Sequence, residues 1–265
     1  MSLLFGFFLF TIQFCLLITA QSTAPIVDLG YVKVQGWTNT TSGLNYYHGI
    51  QYAQNPGGEN RWKRPIPVEL NESYVGQVLN VTQRGPSCFQ AVASWEPAIP
   101  PIANTLSEDC LILDVITPAN PTSSHIAVLV GIHGGGYIQG DVTYQPGDSA
   151  VYAANGSLLF VNIQYRLGAY GFLGGSQVRT NGVLNAGLWD QRAALDWVQR
   201  HISAFGGDPN QVTIVGTNPS SFDANIRWQC WRWQRPLSTY GWRRLGSSTF
   251  PGSNSRISLD ANHDK

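Results

Sequence analysis

Residues 125–137 read HIAVLVGIHGGGY. An unbroken apolar or small run, Ile126–Ile132, stops at His133 and gives way to three adjacent glycines, Gly134–Gly136. An apolar run of this length, without alternation and closed by a turn signal, is the pattern of a strand buried on both faces of a sheet. Adjacent glycines are costly in conformational entropy, so a triplet belongs where backbone must approach something closely or adopt positive φ. Two readings stand side by side at this point. One is a flexible strand-to-loop turn. The other is a set of peptide N–H groups, unobstructed by side chains, aimed at an oxygen that becomes negative during acyl transfer.

Three further apolar runs lie around this one: CLILDVITP (110–118), SLLFVNIQYRLG (157–168) and NQVTIVG (210–216). Between the last two, GLWDQRAALDWVQRHI (187–202) places Leu188, Ala193 or Ala194, Leu195, Val198 and Ile202 at helical spacing, with an acid near its start and Arg200 and His201 at its end. Strand, helix, strand in that order is a parallel crossover, so the chain reads as α/β from about residue 110 onward. Before it, short β-like runs such as LGYVKVQGW (29–37) and YVGQVLNVT (74–82) are broken by Gly, Pro and Asn, as in a β-rich opening region. Residues 89–108 are rich in Pro and Ala without a period and are bracketed by Cys88 and Cys110, as expected of a tethered surface loop. There is no internal repeat and no phosphate-binding glycine fingerprint.

The formal net charge of zero suggests neither nucleic acid nor an acidic membrane surface as a partner. With 43% hydrophobic and 12% charged residues among 265, the composition is that of a folded domain. The first twenty residues, MSLLFGFFLFTIQFCLLITA, hold no acid or base and end in Thr19 and Ala20; they read as a secretory signal peptide, with an uncleaved membrane anchor as the alternative. Sequons at Asn39, Asn71, Asn80 and Asn155 are compatible with a glycosylating compartment. Cys15 would leave with the signal, Cys88 and Cys110 would pair in an oxidising compartment, and Cys230 is left over.

SEDCLILDVITP, GIHGGGY, QYRLGAYGFL and NAGLWDQRAALDWVQRHISAFGGDPNQVTIVG occur in the order and approximate spacing of the type-B carboxylesterases. From about Ala24 to Gly216 the chain resembles this cholinesterase and fungal-lipase branch of the α/β-hydrolases, and YYHGIQYAQNPGGENRWKRP resembles the family's opening segment. The resemblance implies the N-terminal part of an α/β-hydrolase fold: a mostly parallel central sheet with flanking helices. It also implies a secreted hydrolase acting on small-molecule or lipid carboxylic esters, without cofactor or metal and with no stable partner. Gly135 and Gly136 match the oxyanion-hole glycines, and Cys88 with Cys110 the family's first disulfide. Trp95, inside the loop so closed, reads as a packing tryptophan rather than a substrate contact. Asp190, Arg192 and Arg166 read as ion-pair scaffolding rather than acid or anion binders. Gln164 stands where relatives often carry Asn.

The family's strand ending VTIVG leads into a G-x-S-x-G nucleophile elbow, but here Gly216 is followed by TNPSS. Ser220 and Ser221 lack the small neighbours of such a turn, and His263 lacks the surroundings to serve as the base. The tail instead crowds Trp228, Trp231 and Trp233 into RWQCWRWQ. Tryptophan has a single codon. Read one nucleotide later, Trp228–Gln229, Trp231–Arg232 and Trp233–Gln234 each force glycine, and the window permits G-G-S-A-G-G-G-S-V, a variant of the family elbow. Residues 217–265 are therefore expected to be an intron-derived or out-of-frame, disordered tail after a domain over 21–216. The tail's seven Lys/Arg against three Asp contrast with nine against thirteen acids before it. Lacking nucleophile, acid and histidine, and with a sheet edge left open at Gly216, such a chain is expected to be inactive and poorly soluble. The alternative function is that of a non-catalytic cholinesterase-like binding or adhesion protein.

Overall fold

A computed structural model describes residues 24–91, 105–144 and 146–216. The signal-like segment, Cys15, Trp95 and everything expected of residues 217–265, including Ser220, Ser221, Cys230 and His263, lie outside the described residues.

The opening region holds β1 (Ile26–Asp28), β2 (Lys33–Gln35), β3 (Trp37–Asn39), β4 (Leu44–Gln51), β5 (Val78–Asn80), β6 (Ser87–Cys88) and β7 (Leu106–Ser107), linked by turns and single 3₁₀ turns. The α/β part follows: β8 (Ile112–Pro118), β9 (Ile126–Ile132), α1 (Asp148–Ala153), β10 (Leu158–Ile163), α2 (Gly168–Phe172), α3 (Ser176–Asn181), α4 (Ala186–His201) and β11 (Gly207–Gly216). Six strands form the main sheet in the order β11-β9-β10-β8-β4-β3, while β1, β2 and β5 form a small separate sheet and β6 pairs with β7.

The sheet is mixed rather than mostly parallel over the described residues. β9 runs parallel to both β10 and β11, as crossovers through α1 and α4 require. By contrast, β8 is antiparallel to β10 and to β4, and β3 to β4. Within this sheet the parallel character is thus confined to β11, β9 and β10, which helices separate along the chain, and the β10-β8-β4-β3 side is antiparallel.

Both faces of this sheet are filled. On one, Leu113, Val115, Val128, Val130, Ile132, Leu159, Val161 and Ile163 pack against Ala194, Leu195, Trp197 and Val198 of α4. On the other, Ile116 and Phe160 meet Leu44, Tyr46 and Val151 of α1. Burying each such aliphatic side chain contributes roughly 1.5–3 kcal/mol, which is why β8 to β10 read as continuous apolar runs. In α4, Ala194 rather than Ala193 is buried, and so are Asp190, Gln191 and Trp197. The indole of Trp197 is accommodated because its Nε1–H donates to the Tyr31 hydroxyl at 3.1 Å.

Asp190 faces the core because Arg166 does. Its carboxylate accepts from Arg166 Nε and Nη2, both at 2.7 Å, and from the Arg166 backbone N–H at 3.1 Å. Arg166 Nη2 also donates to the Lys63 carbonyl at 2.9 Å. A bidentate pair this buried would leave a stranded charge if either partner were removed, at a cost of about 3–5 kcal/mol. Arg192, by contrast, is half-buried and lies 4.0 Å from the partly exposed Asp196, one helical turn on. Glu108 and Arg61 form a second bidentate pair that ties the segment before β8 to the opening region.

At the other end of α4, Glu69 Oε1 accepts from Arg200 Nη2 at 2.8 Å and contacts His201 Nε2 at 2.7 Å. Burial raises this carboxyl, but the hydrogen bonds with His201 and Arg200 outweigh it and hold the group down at about 2 from an ordinary 4.5. The folded value lies below the unfolded one, so this stabilisation is complete above about pH 4.5 and is lost as the pH falls toward 2. Thermal melts across that window should show a steeper acid decline for the wild type than for Glu69→Gln. Parallel declines would show that Glu69 contributes nothing.

Candidate active site

β9 is the strand at which the sheet reverses direction of growth: β10 is added on one side and β11 on the other. In an open α/β sheet the crevice beyond the carboxyl end of such a strand is where ligands bind. Gly134–Gly136 leave β9 at that end. Gly216, the last residue of β11, is in register with Ile132, so β11 ends level with the end of β9.

The loop takes backbone conformations that side chains disfavour. Gly135 has φ +109° and Gly136 φ +61°. A Cβ on Gly135 would stand 2.0 Å from the Gln139 carbonyl oxygen, and one on Gly140 (φ +113°) 2.4 Å from His133 Nδ1. Tyr137 is left-handed as well, at φ +68°, a costly state for a bulky residue that persists only where its surroundings over-determine it.

Those surroundings are a set of hydrogen bonds from other elements. Ile138 and Gln139 N–H both donate to the Gly135 carbonyl at 3.1 Å, closing the loop on itself. Gly168 N–H, at the start of α2, donates to the Tyr137 carbonyl at 2.7 Å, and Ala91 N–H to the Ile138 carbonyl at 2.7 Å. Tyr165 donates from its hydroxyl to the His133 carbonyl at 2.9 Å and stacks on the His133 ring, with centroids 4.5 Å apart. The Gln90 amide grips Gly140 twice: its Oε1 accepts from Gly140 N–H at 2.6 Å and its Nε2 donates to the Gly140 carbonyl at 3.0 Å. The same Nε2 donates to the Cys88 carbonyl at 2.9 Å. Ser87 donates to Asp141 at 2.8 Å, with both side chains fully buried.

With its carbonyl committed, Gly135 keeps its N–H, like that of Gly136, without an acceptor among the described residues. Two amides held in place and unpaired are what an oxyanion requires of its donors. Gln90, Tyr165, Gly140 and Gly168 were not singled out from the sequence. Tyr165 and Gly168 sit in an apolar run and a turn signal that gave no hint of a shared task, and Gln90 lies in a segment without period.

Cys88 and Cys110 are joined in a disulfide. Closing the intervening loop, a sequence separation of 22, contributes roughly 3 kcal/mol in the chain-entropy model. It also fixes β6, and with it Ser87 and Gln90, against the glycine loop. Gln164, Arg166, Asp190 and Arg192 do not face this loop. Gln164 Nε2 donates to the Pro86 carbonyl at 2.8 Å, which holds the segment leading into β6. Of the sequon residues, Asn39, Asn71 and Asn80 each accept on Oδ1 from the N–H two residues on, the local turn that an asparagine side chain favours. Asn155 is an exposed left-handed turn residue.

A mixed sheet with helices on both faces, carrying a glycine loop at its switch point whose Gly135 and Gly136 amides have no acceptor among the described residues, fits the class of the similar solved structures: an α/β-hydrolase. The chain belongs to the carboxylesterase family, whose model matches residues 23–220. It is 40% identical over 194 residues to the para-nitrobenzyl esterase of Bacillus subtilis, covering 73% of this chain and 38% of that protein. It is 33% identical over 210 residues to acetylcholinesterase-1 of Trittame loki, covering 77% of this chain and 36% of the relative. Among solved structures it is similar to Aspergillus niger EstA, with a TM-score of 0.64 and 36% identity over 74% of this chain and 36% of that one. The chain thus spans less than two fifths of the length of these relatives.

Gln90→Leu removes both bonds to Gly140 while keeping side-chain volume. It should lower stability by about 1–3 kcal/mol in chemical denaturation, and Gly140→Ala should cost at least as much. Wild-type stability in both variants would mean that the clamp is dispensable.

Proposed function

We propose that residues 24–216 form the oxyanion-binding half of a secreted carboxylic ester hydrolase. Gly135 N–H and Gly136 N–H serve as two of the three donors to the tetrahedral intermediate. In the complete reaction a serine oxygen attacks the ester carbonyl carbon, and the carbonyl π pair moves onto oxygen, which accepts hydrogen bonds from these amides. A histidine takes the serine proton and returns it to the departing alkoxide, while a carboxylate orients the histidine. Water then attacks the acyl-enzyme by the same route and releases the carboxylic acid. The observation that supports this proposal is the register of Gly216 with Ile132, which ends β11 level with the strand that leads into the glycine loop.

The 265-residue chain itself is read as inactive. Gly216 is followed by Thr217-Asn218-Pro219-Ser220-Ser221, without the glycine-flanked serine that the strained elbow needs. The elbow is assigned to the other reading frame across Trp228–Gln234, so that residues 217–265 are not part of the domain. Loss of triad members leaves only the residual rate that binding and the oxyanion hole supply, ~10⁴-fold or more below the intact enzyme. Secretion belongs to the same proposal, with residues 1–20 removed as a signal and Asn39, Asn71, Asn80 and Asn155 as glycan acceptors.

The purified chain should hydrolyse para-nitrophenyl butyrate no faster than buffer, and the chain with its frame shifted by one nucleotide ahead of Trp228 and continued to the family's full length should hydrolyse it. In that longer protein Gly135→Ala should reduce kcat by about 10²–10³-fold. Turnover by the 265-residue chain would refute inactivity. An in-frame spliced transcript across the codons for Gly216 and Trp228 would refute the frame assignment and favour a non-catalytic binding protein.

A further inference from the structure

Residues of β2 and β5 in the small sheet and of β4 and β8 in the main one line a cleft of about 360 Å³. Small-molecule sites span ~300–1,000 Å³, with a mostly apolar wall and a few placed polar groups, so this space suits a small ligand. Val34, Ile50, Leu79 and Ile112 contribute apolar wall, and none of the lining residues belongs to the glycine loop. Asp109 is the one carboxylate among the lining residues, and no Lys, Arg or His stands with it there.

Asp109 ends a chain of hydrogen bonds in which every donor points the same way. The Tyr74 hydroxyl donates to Gln51 Oε1, and Gln51 Nε2 donates to Asp109 Oδ1 at 2.9 Å. An ionised carboxylate can only accept, so the amide must turn its Nε2 to Asp109 and its Oε1 to the tyrosine. The Asp109 backbone N–H is taken up locally by Ser107 Oγ at 3.0 Å. Asp109 Oδ2 is left without a donor among the described residues, and Asp109 takes part in none of their ion pairs.

The result is a half-buried carboxylate held in place through one oxygen and open at the other. Burial raises the Asp109 carboxyl from its ordinary 3.8, and the Gln51 hydrogen bond opposes that rise. Burial, and then the Asp109 charge, raise the Tyr74 hydroxyl above its ordinary 10.0, which keeps the proton on oxygen and the relay intact. A cationic N–H donor entering the cleft would offset the desolvation of Asp109 and give its spare oxygen a charge-assisted bond. Asp109 has no second carboxylate in the lining with which to share a metal ion, whereas an organic ammonium needs only one carboxylate and an apolar wall for its carbon body.

We propose that this cleft binds a small primary amine in its ammonium form, with Asp109 Oδ2 accepting from the ammonium and the carbon body lying against Val34, Leu79 and Ile112. A free amino acid fits less well, because the lining holds no cation to receive its carboxylate. A lysine side chain carries the same ammonium, but its peptide would have to be accommodated as well. The occupant assigned is the free amine.

The test uses the full 265-residue chain at neutral pH and constant ionic strength, because salt screens a contact with a carboxylate that is only half-buried. Isothermal titration with butylammonium chloride is expected to give saturable binding. Butan-1-ol, of the same length without the charge, should bind at least about tenfold more weakly, the loss of one charge-assisted bond. Asp109→Asn keeps the shape and should weaken butylammonium binding by a similar factor. Glu59→Gln, exposed and outside the cleft, should leave it unchanged, and far-UV circular dichroism checks that each variant is folded. Methyl resonances of Val34, Leu79 and Ile112 should shift during the titration. If Asp109→Asn does not fold, the comparison of ammonium with alcohol and the methyl shifts decide in the wild type. Absence of saturable binding up to about 20 mM, equal affinity for ammonium and alcohol, unmoved methyl resonances or unchanged affinity in folded Asp109→Asn would overturn the proposal. Tighter binding of a blocked lysine peptide than of butylammonium would overturn the assignment to a free amine.

Discussion

The glycine loop between β9 and α1 has only the two bonds to the Gly135 carbonyl to hold it from within. Gly135, Gly136, Tyr137 and Gly140 all sit at positive φ, and a loop built this way would sample many conformations if left to itself. What fixes it is backbone hydrogen bonding from outside: Gln90 on Gly140, Gly168 on Tyr137, Ala91 on Ile138 and Tyr165 on His133. Each of those partners must in turn be placed. Gln90 is placed by the Cys88–Cys110 disulfide, Gly168 follows the Arg166–Asp190 pair that docks α4, and Tyr165 continues directly from β10. The buried ion pair and the disulfide therefore act on the site through the loop's carbonyls and amides, and neither faces it.

Beneath the loop, β9 does two jobs with one sequence. Val128, Val130 and Ile132 supply the α4 face of the core, and the strand's position between β10 and β11 makes its carboxyl end the crevice of the sheet. Because Gly216 is in register with Ile132, hydrophobic packing of the two strands also sets where β11 ends relative to the glycine loop. Packing and chemistry are coupled here by register. A slip of one residue in the β9–β11 pairing would turn Val212 from the core and move the end of β11 away from Gly135.

Much of this was legible in the residues. The four apolar runs became β8, β9, β10 and β11, and the helix expected over 187–202 spans 186–201, because strands buried on both faces and an amphipathic helix leave strong periodic signals. The glycine triplet drew notice because its entropic cost needs a reason. What could not be read depends on contacts distant in sequence. The antiparallel partners of β8 made the sheet mixed, since an apolar run does not state the direction of its neighbour. The burial of Asp190 followed from Arg166, 24 residues away. Gln90 had no periodic context, and its importance appears only once Gly140, 50 residues on, is folded against it.

Under the proposed function a loop so expensive to hold has a reason to be present, since acyl transfer needs donors placed where charge develops rather than donors that move there. The account therefore turns on whether the Gly135 and Gly136 amides are held yet unpaired. Residue-resolved amide hydrogen exchange by NMR measures this directly. The account predicts strong protection at Gly140 and Gly168, whose N–H groups are bonded, and fast exchange at Gly135 and Gly136 within the same protected frame. Protection of Gly135 and Gly136 equal to that of Gly140 would contradict it by showing the donors already occupied, and fast exchange across the whole loop would contradict it by showing that nothing holds them.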